Sequence, residues 1–394
     1  MASNKGNILL FSTADWDNPF WTNKQHVARE LSRLGYKVLY VDSIGLRQPT
    51  IRKSDILRMV NRLFKGLRPP RKINDNLWVW SPIVIPLQKY KTVRNINKWI
   101  LYLLSSIYCL VLDFKKPVMW TYNPLTTDLF VINDKTKVVY HCVDEVKQQP
   151  GMPMMEIESA EKRLLLRADI VFVTSQKLLD SRRLLNNNTY LFTNVADYDH
   201  FSKARDESTL VPDDLLELNK PIIGFVGAIS EYKVDFNLLK YVALKCPDYT
   251  FVLIGKIGEG EPGSDAKQIY DVPNIKFLGP KSYIQLPNYI KGFDLSIIPS
   301  ALNAYTHAMF PMKFFEYLAA GKQVVSTNID SLQGYIDYLY LAKDYDDFVQ
   351  GINIMLKSNP GNISRRLALA SKNTYIERTA KMLDIINAHS RIES

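Results

Sequence analysis

A chain of 394 residues is long for a single hydrophobic core and suits two domains. Its 46% hydrophobic and 23% charged residues exclude general disorder. Three scattered cysteines (Cys109, Cys142 and Cys246), with no C-x-x-C pair, exclude a disulfide framework or thiolate zinc site and fit a reducing compartment.

Residues 1–6 carry no signal-peptide apolar core and lead into a strand-like run, 7–12. A helical pattern over 20–35 ends at Gly35, and a second strand is expected at 37–42. This βαβ opening implies a parallel sheet with right-handed crossovers. Further strands are expected at 76–81, 116–121, 137–143 and 169–174. The apolar run 99–112, at fourteen residues, is short of the roughly 20 that cross a bilayer and reads as a buried core helix. A polar stretch, 202–220, reads as an interdomain linker. The alternation then restarts with a strand at 221–227 and a helix at 235–245. Strands are expected again at 249–255, 274–278, 293–298 and 322–326, and a closing helical stretch at 362–388. The expected division is 1–207, an N-terminal Rossmann-like domain, 208–376, a C-terminal one, and 377–394, a helix returning to the first.

The net charge of +10 is local. Residues 51–100 hold twelve Lys/Arg against two acidic residues, a balance of +10, so the remainder nets to zero. Taken as a helix, 54–68 places Ile56, Leu57, Met59, Val60, Leu63, Phe64 and Leu67 on one face. Arg58, Arg62, Lys65 and Arg68 fall on the other, and Pro69-Pro70 stops it. Such a helix suits an anionic membrane surface, or equally a core-facing helix with a solvated basic back. No nucleic-acid recognition motif accompanies the charge, so no nucleic-acid partner is expected.

The most specific segment is Ala308-Met-Phe-Pro-Met-Lys-Phe-Phe-Glu-Tyr-Leu-Ala-Ala-Gly-Lys-Gln-Val-Val-Ser-Thr327. Pro311 and Met312 suit a helix start, Gly321 its end, and Lys313 and Glu316 share one face three residues apart. Backbone N–H groups at a helix start with Lys313 beside them would hold a pyrophosphate, and Glu316 could accept hydrogen bonds from ribose hydroxyls. The whole segment resembles the donor-site helix of GT-B glycosyltransferases, of the form Lys-x-x-Glu-Tyr-x-Ala-x-Gly-Lys-Pro-Val-Val, with Gln323 in place of the usual proline. Gly224-Phe-Val-Gly-Ala-Ile-Ser-Glu-Tyr-Lys233 resembles that family's strand, glycine turn (Gly227) and phosphate-facing lysine (Lys233). Asn274-Ile-Lys-Phe-Leu-Gly-Pro280, with Leu278, resembles the base-contacting loop.

The resemblance implies two Rossmann-like domains facing a central cleft, with the last helix packing back on the first. It implies a nucleotide-sugar substrate, a UDP- or GDP-sugar, and neither cofactor nor metal. Two family features are missing. Ala308 stands where retaining members carry a glutamate, and Ala228 where they carry an arginine, so Lys233 and Lys313 must carry the phosphate charge. His307, beside Ala308, is a candidate sugar or phosphate contact or an exposed loop residue.

If the reaction inverts the anomeric centre, a carboxylate must deprotonate the acceptor. Asp144 directly follows the run Val138-Val-Tyr-His-Cys-Val143, so it is either that base or a helix N-cap. The Tyr-x-x-x-Asp-Glu pattern resembles bacterial exopolysaccharide and teichuronic-acid transferases. In the loop after the first strand, Asp15, Trp16, Asp17 and Trp21 are candidates for the acceptor, because rings stack on sugars and carboxylates bind hydroxyls. The resemblance implies a saccharide or polyprenyl-pyrophosphate-linked acceptor in surface polysaccharide synthesis, met at the cytoplasmic face of the cell membrane. The competing readings are a nucleotide-sugar 2-epimerase, which transfers nothing, and a non-catalytic two-lobed binding protein.

Overall fold

The computed structural model describes residues 5–44, 66, 68–85, 91–258, 261, 266–358 and 363–392. Of the expected basic helix, Arg58, Arg62 and Lys65 lie outside the described residues, whereas Arg68 is exposed. The chain forms two compact units, one of Met1–Phe192 with Thr379–Ser394 and the other of Thr193–Arg378.

In the first unit the strands are β1 (Asn7–Phe11), β2 (Lys37–Val41), β3 (Arg71–Asn74), β4 (Leu77–Trp80), β5 (Val118–Thr121), β6 (Val138–Cys142), β7 (Ile170–Val173) and β8 (Thr189–Leu191). They order as β3-β4-β2-β1-β5-β6-β7-β8, all parallel except the β3–β4 pair. The inner strands are near-continuous apolar runs because helices cover both faces of such a sheet. The order in which strands are added reverses between β1 and β5, the position where doubly wound sheets open a ligand crevice at the strand C-termini.

The second unit has β9 (Ile222–Val226), β10 (Thr250–Ile254), β11 (Ile275–Gly279), β12 (Leu295–Ile298), β13 (Val324–Thr327) and β14 (Tyr340–Ala342), in the parallel order β11-β10-β9-β12-β13-β14. Its switch point falls between β9 and β12. Along β9 the side chains alternate. Ile222 and Val226 join one core with Phe293, Phe314 and Leu318, while Ile223 and Phe225 join the other with Leu253 and Leu295. Gly224 lies on the first of these faces, where an added Cβ would stand 2.1 Å from the Phe293 ring.

Several expectations need correction. The stretch 202–220 is not a free linker. It holds the helices Lys203–Arg205 and Asp213–Leu216, and Ala204 and Leu215 are buried in the second unit's core beside Phe201. The expected boundary at 207/208 accordingly falls at 192/193, because Asn194 already donates to the Phe310 carbonyl at 2.5 Å. The closing stretch is two helices, Ile363–Lys372 and Tyr375–Ile392, interrupted where Thr374 pairs with Ala196. The second of these runs into the first unit, with Met382, Leu383 and Ile386 buried and the Ile386 carbonyl accepting from Lys137.

The apolar run 99–112 is helical but is not a buried core helix. It belongs to Lys91–Val111, whose Trp99, Leu103 and Leu110 are 66%, 60% and 83% exposed. No described helix is long and apolar enough to cross a membrane.

Candidate active site

In the second unit the glycine turn leaves β9 at its switch-point end. Gly227 N–H donates to the Ile254 carbonyl at 2.9 Å, closing the turn onto β10. Gly255 has φ +155°, and a Cβ there would lie 1.7 Å from the Gly227 carbonyl oxygen, so no side chain fits at this approach. Lys233 follows in a turn closed by Ser230, and Val234 pairs with Ser300 at the end of β12. The Lys233 carbonyl accepts from Ala301 N–H at 3.0 Å, which ties this segment to the loop after β12. Asn303 reinforces this by capping the short helix Ala304–His307 through its Oδ1 and donating its amide to the Tyr232 carbonyl.

The helix Lys313–Ala319 approaches the same strand end. Tyr317 Oη accepts from Val226 N–H at 2.9 Å, joining this helix to the residue before Gly227, and burial raises the tyrosine pKa. Lys313 Nζ meets Glu316 Oε2 at 2.7 Å, with the glutamate side chain only 6% exposed. Pro311 and Met312 sit at the start of the helix, with Met312 at its N-cap. His307 Nδ1 lies 3.2 Å from Asp330 Oδ2 without hydrogen-bond alignment. Leu278 is half-buried against the core.

Two members of this surrounding were not singled out from sequence. Tyr317 stood inside the recognised segment, but its role as an acceptor to a distant backbone amide leaves no spacing signal. His200 stacks on Tyr283 at 4.3 Å and bonds its carbonyl, and burial lowers its pKa against the opposing influence of that bond and, more weakly, of the Asp197 and Glu316 charges.

The first unit gathers its candidates at the ends of β1, β2 and β6. Asp144 follows β6 with its side chain 26% exposed, and Lys24 Nζ approaches it at 4.0 Å. The next short helix, Val146–Gln148, has Glu145 rather than Asp144 at its N-cap position. Glu145 itself is held by Arg182 at 2.7 and 2.8 Å, and Arg182 also chelates Glu161. Trp16 is buried, with its ring against Trp21 and Tyr40 at 5.2 Å each, so the half-exposed Trp21 is the ring more open to a ligand. Asp17 pairs with Arg71 at 2.6 Å, and the Asp15 carbonyl accepts from Gln25.

Asp42, at the end of β2, was missed by sequence reading because it looks like any strand-terminal aspartate. It accepts from Trp16 N–H at 2.7 Å and from Ser81 Oγ, and so anchors the tryptophan loop. Burial pushes its carboxyl up to about 6, against those two hydrogen bonds and with help from the Asp15 and Asp17 charges. A folded pKa above the unfolded one means that the folded state holds the proton more tightly. The stabilisation is therefore complete below about pH 4 and is lost as pH rises through about 6. Asp42→Asn should remove this slope and raise stability at neutral pH by up to about 3 kcal/mol, at about 1.4 kcal/mol per pKa unit. Melting temperatures across this pH range check it, and an unchanged slope in the variant would refute the assignment.

Residues 207–374, which lie in the second unit, match the family model of glycosyl transferases group 1. The two-sheet architecture is the GT-B fold. Sucrose-phosphate synthase from Thermosynechococcus elongatus superposes with a TM-score of 0.69 at 16% identity, over 98% of this chain and 99% of that one. Anabaena HepE in complex with UDP and glucose gives 0.64 at 16% identity, over 96% and 99%. In sequence, the chain is 32% identical over 214 residues to TuaH of Bacillus subtilis (strain 168), a glycosyltransferase assigned to teichuronic acid biosynthesis. That match covers 52% of this chain and 52% of TuaH, about half the length of the relative.

Proposed function

We propose that the protein is a glycosyltransferase moving a sugar from a nucleotide-sugar donor, a UDP-sugar first among them, to a saccharide acceptor. The observation that carries this reading is the partly buried Lys313–Glu316 pair on a helix bonded through Tyr317 to the strand end before Gly227, within the segment that matches the glycosyl transferases group 1 model. In this reading Glu316 accepts from the ribose hydroxyls, and Lys313 and Lys233 balance the diphosphate without a metal. HepE, a structural relative, binds UDP and glucose, which supports the choice of nucleotide. Asp144 serves as the base of an inverting transfer, and Trp21 with Asp15 and Asp17 contacts the acceptor. The similarity to TuaH supports a lipid-linked acceptor and a place in surface polysaccharide synthesis, with the enzyme attached peripherally to the cytoplasmic face of the membrane.

Glu316→Ala should weaken UDP binding about ten- to hundredfold, the loss of a charge-assisted hydrogen bond worth roughly 1.5–3 kcal/mol. Isothermal titration of UDP into both proteins measures it, and equal affinities would remove Glu316 from the donor site. Incubation with the donor alone separates transfer from epimerisation, since only an epimerase would convert the nucleotide sugar without an acceptor.

A further inference from the structure

The helix Lys91–Val111 is inside out for a soluble protein. Its buried side holds Asn97 and Ser105 beside Leu101. Asn97 is fully occupied there, accepting from Ile85 N–H at 2.7 Å and donating to the Ile85 carbonyl at 2.8 Å, and Ser105 donates to the Tyr102 carbonyl. The outward side carries Ile96, Trp99, Leu103, Ile107, Leu110 and Val111, between 42% and 83% exposed. Their spacing of three, four, four, three and one keeps them on one stripe. An inward side that spends two positions on Asn97 and Ser105 beside Leu101 and Tyr108, and an apolar stripe turned outward, mark an interaction surface, because water alone would favour the reverse.

We infer that this stripe lies in the interface of an anionic phospholipid leaflet, parallel to its plane. The inference rests on the membrane attachment proposed above and assigns it a different element from the basic residues at 58–68. Three observations select lipid over other occupants. From residue 76 to residue 112 the sequence holds no Asp or Glu, while Lys91, Arg94 and Lys98 lie on the first turns of the helix; just beyond its end Lys115 and Lys116 follow a single acid, Asp113, which Lys115 approaches at 3.5 Å. A cationic surround of an apolar stripe complements anionic headgroups, whereas a second copy of the same helix would bring like charges together. The exposed Trp99 packs against Tyr102 at 5.9 Å, and these two ring types favour the boundary between headgroups and acyl chains. The apolar run is too short to span, so its apolar side is satisfied by lying flat.

Sedimentation of the full chain with phosphatidylglycerol vesicles tests this, with L103S/L110S as the variant, since both side chains are exposed and their loss leaves the core intact. The variant should keep the wild-type melting temperature and partition about a hundredfold more weakly. Wild-type tryptophan emission should shift to the blue on vesicle addition, and Trp99→Phe should abolish most of that shift. If L103S/L110S binds as tightly as wild type while R58E/R62E/K65E does not, membrane attachment stands but the stripe is not its contact. If wild type ignores the vesicles at low salt, both fail. A wild-type dimer by light scattering that L103S/L110S renders monomeric would make the stripe an interface between copies and overturn the inference.

Discussion

Asp144→Asn should lower turnover by about 10²–10⁴-fold, the contribution of a positioned general base, while leaving UDP affinity unchanged. The amide keeps the shape of the carboxylate but cannot take the acceptor proton. The side chain is partly open at the end of β6, beside the Lys24 ammonium at 4.0 Å, and Glu145 holds the N-cap position of the short helix that follows. A selective loss of turnover would therefore report on chemistry. Initial rates with saturating donor, read beside UDP titration and a melting curve, check it. Wild-type turnover in the variant, or a product that retains the donor's anomeric configuration, would remove Asp144 from the role of base.

Arg182→Met should lower stability by about 3–5 kcal/mol, because it strands two carboxylates that the guanidinium now satisfies. Arg182 is 4% exposed and bridges Glu145 and Glu161, while Tyr140 Oη donates to Glu161 at 2.8 Å. Burial by itself disfavours the cation, but Cys142, Glu145 and Glu161 together raise its pKa well above the ordinary arginine value. At about 2–4 °C per kcal/mol for a unit of this size, the melting temperature should fall by roughly 10 °C. Adding Glu145→Gln and Glu161→Gln to Arg182→Met should recover part of the loss, since the stranded charge is then gone. A fall below about 1 kcal/mol would mean that water reaches the cluster. Because Glu145 adjoins Asp144, the same arginine fixes the chain on which the candidate base sits.

The elements of the candidate donor site were legible because their signals are local. A glycine that ends a strand, a Lys and a Glu three apart, and a helix closed at Gly321 are short-range requirements of backbone and charge, and each leaves a mark in adjacent residues. The first unit was harder to read. Asp144 could be placed after a strand, but its relation to Lys24 spans 120 positions, and that of Asp42 to Trp16 spans 26. The strands β3, β8 and β14 escaped because they are short edge or near-edge strands without a sustained apolar run.

The sequence by itself determined the succession of parallel strands, since strands covered on both faces must be apolar throughout, and it determined the helix and strand within 308–327. Only the tertiary structure decided which way the helix Lys91–Val111 faces. An apolar run records that a side chain avoids water, but not whether protein covers it, and here Asn97 and Ser105 took the inner side while Trp99, Leu103 and Leu110 remained outside. Tertiary packing likewise drew 194–216 into the second unit, because Phe201, Ala204 and Leu215 found a core that polar neighbours in sequence had disguised. It also set the raised pKa of Asp42, since burial depends on neighbours that the chain brings from the end of β4 and from the loop after β1.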